Sequence, residues 1–254
     1  MEWIISTDLG SRSRIEELLD VLESKNQKVL KIGLEVALNP DFIPNSSSEK
    51  AILYGHINFV DRLHDKFNPG VLGHNLFTIE NIFNNVPSEF LLNNQETMFS
   101  GNAVDILNYL EDKNDDLFFF KPGNDQKLFP GGAIEINDIK RICNSIISGE
   151  LPDSYPDFPL LIGELFGIET EYRFFIIGHE ISSFSQYAKN HEYFTSTIVP
   201  DEVKIFANNL FDIWSPAEGY VLDIGLSNNL PYVIEYQGMN SSGFYDCNLN
   251  DIVD

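Results

Sequence analysis

The sequence predicts an α+β fold in which a small α/β domain precedes a larger domain that contains hairpins. Over roughly the first 85 residues, strand-like runs alternate with helical segments, which is typical of a partly parallel sheet. In the second half, short apolar strands follow one another with turn residues between them, as in β-hairpins. A chain of 254 residues can form one large core or two smaller ones, and we expect domains at 1–95 and 96–254.

The N-terminal elements follow from periodicity and turn composition. In order they are a strand at 3–7, a helix at 11–27, an apolar run at 28–36, a loop at 39–50 and a strand continuing into a helix at 51–67. The first helix is predicted because Ile15, Leu18 and Leu22 recur at helical spacing on one face. The loop is rich in Pro, Ser and Asn, which favour turns.

The second half supplies most of the strands. Its predicted strands are LFFFK at 117–121, GGAIEI at 131–136, PLLIGELF at 159–166, TEYRFFIIG at 170–178, EISSFSQYA at 180–188, GYVLDIGLS at 219–227 and LPYVIEYQG at 230–238. Its predicted helices are at about 102–111, 136–148, 200–214 and 248–254. We expect the first two strands to form a hairpin, and the last two to form another across the polar turn SNNLP.

Composition excludes several partners. Acidic residues outnumber basic ones by 39 to 16, for a net charge of −23, so we expect no nucleic acid and no anionic membrane surface as partner. Cys143 and Cys247 lie far apart and predict buried thiols in a reducing cytoplasm rather than a disulfide framework. The sequence shows neither a signal peptide nor a run long and apolar enough to cross a membrane.

The stretch DLFFFKPGNDQKLFPGG, at 116–132, combines a strand, two lysines and a glycine-containing turn. Glycine permits close approach of backbone N–H groups to an anion, and Lys121 offers a point charge for phosphate. The pattern has neither Walker A spacing nor GxGxxG. An ordinary hairpin with solvated lysines is the alternative.

The stretch GYVLDIGLSNNLPYVIEYQGMNSSGFY, at 219–245, places an acid in each of two apolar strands. If the turn centres on Asn228–Asn229, Asp223 and Glu235 become cross-strand neighbours. Two such carboxylates repel each other unless a cation lies between them, and oxygen ligands favour Mg²⁺. The alternative is a hairpin with both acids on its solvated face.

The stretch PLLIGELFGIETEYRFFIIGHEISSFSQY, at 159–187, places an arginine inside an apolar strand. Arg173 therefore requires a carboxylate or phosphate partner, and a cross-strand Arg–Glu pair is the purely structural alternative. Glu164 ends the preceding apolar strand.

In this order and spacing, the stretches resemble the ATP-grasp proteins, and more narrowly a small RimK-related clade found in phages and bacterial conflict loci. The resemblance rests on KPGNDQKLFPGG, LLIGELF, EYRFFIIG, VLDIG and VIEYQGMNSSGFY, with YGHINFVDRL and NPGVLGHN toward the N-terminus. It implies an ATP-grasp fold, in which two α+β lobes with antiparallel sheets sandwich ATP. The lobes would span about 96–162 and 163–254, after the small N-terminal α/β domain.

The resemblance also implies roles for individual residues. Lys121 would contact the α- and β-phosphates, and Arg173 the γ-phosphate or an acyl phosphate, as the catalytic residues. The implied ATP-binding residues are Lys121, Gly123, Lys127, Gly131, Gly132, Glu164 and Leu165. The implied magnesium ligands are Asp223, Glu235, Gln237 and Asn240. RimK-type proteins have Glu-x-Asn in the last strand, whereas this chain has Glu-Tyr-Gln, which leaves Gln237 and Asn240 as alternative amide ligands.

The implied activity is a carboxylate–amine ligase that uses ATP and Mg²⁺ and proceeds through an acyl phosphate. Its partners would be ATP, a carboxylate and an amine, on an amino acid, peptide or protein. Two alternatives stay open: an inactive ATP-grasp module acting through protein–protein contacts, and a small-molecule kinase. The sequence leaves the oligomeric state open.

Overall fold

A computed structural model describes residues 2–7, 13–46, 48, 50–70, 72–73, 76–92, 94, 97–113, 115–123, 128–152 and 154–254. The chain divides into two compact units. The first unit comprises Met1–Phe77 and Ile168–Asp254, and the second comprises Thr78–Gly167. The domain limits expected from the sequence, 1–95 and 96–254, stay a prediction.

The described residues form strands and helices in mixed order. The strands are β1 (Glu2–Ser6), β2 (Lys28–Ile32), β3 (Ala51–Tyr54), β4 (Met98–Gly101), β5 (Leu117–Pro122), β6 (Gly132–Glu135), β7 (Leu160–Gly163), β8 (Thr170–Ile177), β9 (Glu180–Lys189), β10 (Glu192–Ser196), β11 (Gly219–Ser227) and β12 (Leu230–Gln237). The helices are α1 (Ile15–Ser24), α2 (Leu34–Ala37), α3 (Ile57–Leu63), α4 (Ile79–Asn85), α5 (Ala103–Tyr109), α6 (Ile136–Ile147), α7 (Asp201–Ile213) and α8 (Leu249–Val253), with 3₁₀ turns at Ser88–Phe90 and Met239–Ser241.

The first unit begins with a three-stranded parallel sheet of order β2-β1-β3, as the strand–helix alternation predicts. Every residue of β1 is buried, as expected for a central parallel strand covered on both faces. One face packs on α3. The predicted apolar run at 28–36 divides into β2 and the short helix α2, because Gly33 interrupts the strand and begins the helix.

The other face of this sheet packs against the C-terminal part of the same unit. Tyr54 of β3 stacks on Phe244 with ring centroids 4.9 Å apart, and Phe244 stacks on Phe175 of β8 at 5.3 Å. The same core contains Trp3 and Val221. This aromatic core therefore joins the parallel sheet to the strands that carry the candidate site.

Those strands form a five-stranded antiparallel sheet of order β10-β9-β8-β11-β12. The β11–β12 hairpin turns at Asn228 and Asn229, whose φ angles of 52° and 60° lie in the left-handed region that asparagine tolerates. The Glu169 carboxylate accepts the backbone N–H groups of both asparagines and so fixes the turn. The predicted turn position is confirmed, and it sets the register of the hairpin.

The second unit contains a four-stranded antiparallel sheet of order β4-β7-β5-β6. Helices α5 and α6 cover its apolar face, where Phe118 and Phe120 of β5 pack with Ile139 and Cys143 of α6. The predicted hairpin between the strands at 117–121 and 131–136 is confirmed by the β5–β6 pairing. Periodicity did not reveal α4, β4 and β10, each seven residues or shorter.

Candidate functional site

The charged residues of the candidate site lie on one face of the five-stranded sheet. Asp223 of β11 is paired with Arg173 of β8 on one side and with Glu235 of β12 on the other. Directly paired residues on adjacent strands project to the same face, and Gln237 follows Glu235 at the two-residue repeat of a strand. The predicted cross-strand pairing of Asp223 with Glu235 is confirmed.

Asp223 and Arg173 form a buried bidentate ion pair. Arg173 donates from Nε to Oδ1 over 2.9 Å and from Nη2 to Oδ2 over 2.7 Å. The exposed fractions of Arg173 and Asp223 are 6% and 3%, so neither charge is solvated. Burial alone would lower the pKa of Arg173, but the charge and hydrogen bonds of Asp223 raise it above its ordinary value. The partner expected for this arginine is therefore a carboxylate, an aspartate rather than the glutamate of the structural alternative.

Gln237 completes the set of groups around this carboxylate. Its Nε2 donates to Asp223 Oδ2 over 2.8 Å, and its Oε1 accepts from the Ser242 hydroxyl over 3.2 Å. Ser242 Oγ also lies 2.7 Å from the Gly238 carbonyl oxygen, to which it donates. Gln237 and Ser242 are both buried, so the side-chain amide has a fixed environment.

Two tyrosines flank the arginine. The guanidinium of Arg173 lies 5.3 Å from the ring centroid of Tyr187 and 5.0 Å from that of Tyr245, distances that allow cation–π attraction. The Tyr187 hydroxyl donates to Glu171 over 2.7 Å. Burial raises the pKa of Glu171 above its ordinary value. Arg173 also donates to the carbonyl oxygen of Gly243 over 3.0 Å, so its side chain is held from several directions.

Asn240 serves a different purpose from the metal ligation expected of it. Its Oδ1 accepts the backbone N–H of Leu72 over 3.1 Å, and its Nδ2 donates to the carbonyl oxygens of Leu53 and Gly70. Its amide thus ties the segment after β12 to the parallel sheet. Of the two amides that the sequence left as alternatives, Gln237 contacts Asp223, whereas Asn240 makes backbone contacts.

The donor set on this face fits a divalent cation. Asp223 and Glu235 supply carboxylate oxygens and Gln237 an amide oxygen, the ligand chemistry that Mg²⁺ prefers. Asp223 keeps lone pairs beyond those that Arg173 uses, since each carboxylate oxygen has two. Within the described part of the chain, no group of three or more His, Cys, Asp or Glu side chains is placed to hold a metal, so a site here depends on the amide.

The second unit carries the lysine. Lys121 lies in β5, paired with Leu161 of β7, and is partly exposed. Gly131 passes close to it, since a Cβ at this glycine would lie 2.6 Å from Lys121 Cβ. The backbone N–H of Gly123 donates to the Pro159 carbonyl oxygen over 2.8 Å. The glycine at 131 therefore allows the returning chain to lie against the lysine, as close approach requires.

The remaining predicted nucleotide-binding residues lie in the same unit. Gly132 begins β6. Glu164 and Leu165 follow the end of β7 and are exposed, and the backbone N–H of Glu164 donates to the Thr97 carbonyl oxygen over 3.2 Å. Lys127 lies outside the described residues. The three described residues are thus placed at a strand end or in a connection of this sheet.

Sequence reasoning missed the residues that support the cluster. Ser242 was interpreted only as part of a turn, and the tyrosines beside Arg173 carried no signal of their own. The one available signal was the density of small and polar residues in QGMNSSG at 237–243, directly after an acid-bearing strand.

Comparison with known proteins identifies the class. Residues 100–254, more than half of the chain, match a family model described as an ATP-grasp domain, the second family of its clade. The chain therefore belongs to this ATP-grasp family, and the predicted ATP-grasp membership is confirmed. No curated protein matches the chain.

Solved structures share the fold. A RimK-domain ATP-grasp protein from Sphaerobacter thermophilus DSM 20745 is 12% identical with a TM-score of 0.59, covering 98% of this chain and 92% of that chain. D-alanine–D-alanine ligase from Bacillus anthracis, complexed with ATP, is 12% identical with a TM-score of 0.57, covering 96% and 87%. The ATP-grasp ligase PsnB, complexed with a phosphomimetic variant of its minimal precursor, Mg and ADP, is 10% identical with a TM-score of 0.55, covering 96% and 91%. At these identities the likeness establishes the fold, and the predicted ATP-grasp fold class is confirmed.

The predicted lack of a membrane span concerns the helices. Among the described residues, no helix is both long and apolar enough to cross a membrane.

Proposed function

We propose that the protein is a Mg²⁺- and ATP-dependent carboxylate–amine ligase that acts through an acyl phosphate on an amino acid, peptide or protein. The observation that carries this proposal is the cluster of Arg173, Asp223 and Gln237, buried on one sheet face of an ATP-grasp chain. Burying a bidentate ion pair in a sheet is costly, which favours a functional role over a purely structural one.

In the second unit, the proposed nucleotide contacts are a lysine and a glycine-lined backbone. Lys121 would offset the charge of the α- and β-phosphates, with Lys127 assisting it. Gly123, Gly131 and Gly132 would let backbone N–H groups approach the phosphates. The residues proposed for the adenine and ribose are Glu164 and Leu165, which lie in the connection after β7.

In the first unit, Asp223, Glu235 and Gln237 would hold Mg²⁺. The ion would supply neutralisation of the triphosphate charge when bound. Arg173, held by Asp223 and flanked by tyrosines, would stabilise negative charge on the transferred phosphoryl group. The pairing keeps the guanidinium charged and oriented before substrate arrives.

The proposed reaction has two displacements. A substrate carboxylate oxygen attacks the γ-phosphorus of ATP, the bond from that phosphorus to the β-phosphate oxygen breaks, and ADP leaves. The amine nitrogen then attacks the acyl carbon, the bond to the phosphate oxygen breaks, and phosphate leaves as the amine loses a proton. The chain's contribution is positioning and charge stabilisation. A peptide is among the proposed substrates because the similar ligase PsnB was solved with its precursor peptide.

Hydroxylamine tests the acyl phosphate directly, because it reacts with the acyl phosphate in place of the natural amine. The protein would be incubated with Mg²⁺, ATP, hydroxylamine and pools of amino acids and peptides, and hydroxamate and ADP would be measured by mass spectrometry. We expect equal amounts of hydroxamate and ADP from at least one pool, and loss of both in Lys121→Ala. ADP with a phosphorylated acceptor but without hydroxamate would replace the ligase with a kinase.

An inactive ATP-grasp binding module is the second candidate. It is favoured by one observation, that Gln237 replaces the asparagine of the RimK-type pattern and donates to an Asp223 already paired with Arg173. This candidate predicts neither ADP nor hydroxamate from any pool, with the folded chain intact.

A further inference from the structure

The Gln237 side-chain amide lies between two groups with different requirements. Asp223 Oδ2 is a carboxylate oxygen and only accepts hydrogen bonds, so it orients the amide nitrogen toward itself over 2.8 Å. The amide oxygen consequently faces Ser242 Oγ at 3.2 Å. Without a cation, this is the only orientation in which both contacts are attractive.

Ser242 is suited to the opposite orientation as well. A hydroxyl has one hydrogen to donate and two lone pairs to accept. The Gly238 carbonyl oxygen, at 2.7 Å, is the nearer acceptor for that hydrogen, while the Gln237 amide oxygen lies at 3.2 Å. If the amide turned over, its nitrogen would donate to Ser242 Oγ, and the serine hydrogen would go to Gly238 alone. The reversed amide would then be fully hydrogen-bonded.

The surroundings hold Ser242 in place for this role. The Tyr54 hydroxyl donates to the Ser242 carbonyl oxygen over 2.7 Å, and Tyr54 itself is buried in the parallel sheet. Ser242 is 1% exposed, so water does not replace it as the partner of the amide. An amide nitrogen turned toward position 242 without this hydroxyl would be buried and unsatisfied, which is costly.

We propose that the Gln237 amide has two positions and that Ser242 is the positioning residue that supports both. In the cation-free protein the amide nitrogen faces Asp223, and when a divalent cation binds at Asp223 the amide reverses and presents its oxygen to the cation. This proposal rests on the proposed function, since it takes the cation site from it. It explains how glutamine serves in a chain whose apo carboxylate is already satisfied.

The test uses Mn²⁺ as the probe, in the presence of the β,γ-imido analogue of ATP and the full chain. Electron paramagnetic resonance of free Mn²⁺ gives the dissociation constant without turnover. We expect Ser242→Ala to weaken Mn²⁺ binding about tenfold, the effect of one buried unsatisfied donor. The neighbouring Ser241→Ala is the matched control, with an expected change below about twofold.

A glutamate at position 237 separates positioning from general structural support. A carboxylate presents an oxygen in either orientation, so Gln237→Glu should bind Mn²⁺ at least as tightly as wild type. In that background, Ser242→Ala should change the dissociation constant less than about threefold. An equal tenfold loss in both backgrounds would show that Ser242 supports the segment generally and would overturn the proposal.

The two levels of the account fail in different ways. Wild type that binds no Mn²⁺ with the nucleotide analogue would overturn the proposed metal site and the amide reversal together. Wild type that binds Mn²⁺, with Ser242→Ala binding equally well, would overturn only the reversal. If Ser242→Ala does not fold, the wild-type side-chain amide resonance of Gln237, assigned by its loss in Gln237→Glu, gives the answer. It must move when Mg²⁺ is added to the analogue complex, and an unmoved resonance would refute the reversal.

Discussion

Replacing Asp223 with asparagine is expected to destabilise the first unit strongly. The carboxylate accepts three hydrogen bonds, two from Arg173 and one from Gln237, and the arginine is only 6% exposed. Asparagine would leave a buried guanidinium without its counter-charge and direct an amide donor at other donors. Removing one partner of such a pair costs about 3–5 kcal/mol of unfolding free energy, which lowers Tm by roughly 6–20 °C in a domain of this size.

Urea unfolding followed by tryptophan fluorescence measures this cost where it arises. Both tryptophans, Trp3 and Trp214, lie in the first unit. Asp201→Asn is the control, because its ion pair with Lys204 is exposed, with the aspartate side chain 89% accessible, and we expect a cost below about 1 kcal/mol. A loss of less than about 1 kcal/mol in Asp223→Asn would refute the reasoning that the buried pair is mutually dependent.

Three further predictions concern stability and reactivity. Burial raises the pKa of Glu171 above 4.5, so its contribution to stability is full below that pH and declines as pH rises; Glu171→Gln should gain on wild type in urea unfolding between pH 4.5 and about 7, and a constant difference would contradict this. Burial raises the pKa of Cys143 to about 12 and that of Cys247 to about 11, so a thiol reagent at neutral pH should label both only after denaturation, and rapid native labelling would count against the packing. A Cβ at Gly55 would lie 2.4 Å from a β1 side chain, so Gly55→Ala should cost about 1–3 kcal/mol in thermal unfolding, whereas Gly167→Ala, which meets nothing within 4 Å, should be near neutral.

Local patterns predicted the hairpin that carries the candidate metal ligands. Period-two alternation and the Asn228–Asn229 turn together fix the register, and the structure pairs Asp223 with Glu235 as that register requires. The β5–β6 hairpin around Lys121 was predictable for the same reason. In both cases the information lies within a few residues of the turn.

Long-range contacts could not be predicted in this way. Arg173 and Asp223 are 50 residues apart, and only the arrangement of β8 beside β11 makes them partners. The sequence therefore indicated that the arginine needs a partner but not which one. Ser242 and Asn240 lie in a segment without regular periodicity, and their opposite roles follow from contacts with the parallel sheet and with Gln237.

Strands and helices that lack a distinct pattern were missed for a physical reason. Strand β10 is an edge strand whose first three residues are exposed, so it shows no alternation between buried and solvated positions. Strand β4 has four residues, none fully buried. Such elements depend on pairing with their neighbours, which local periodicity does not report.

Calorimetric titration of ATP with Mg²⁺ into the full chain tests the central claim most directly. We expect wild type to bind in the micromolar range and Lys121→Ala to bind at least about tenfold more weakly, a difference of about 1.4 kcal/mol. Lys140→Ala, on α6 of the same unit, makes the same change in charge and should bind as wild type does. Absence of binding to the folded wild type, or equal weakening by both substitutions, would contradict the nucleotide site proposed around Lys121.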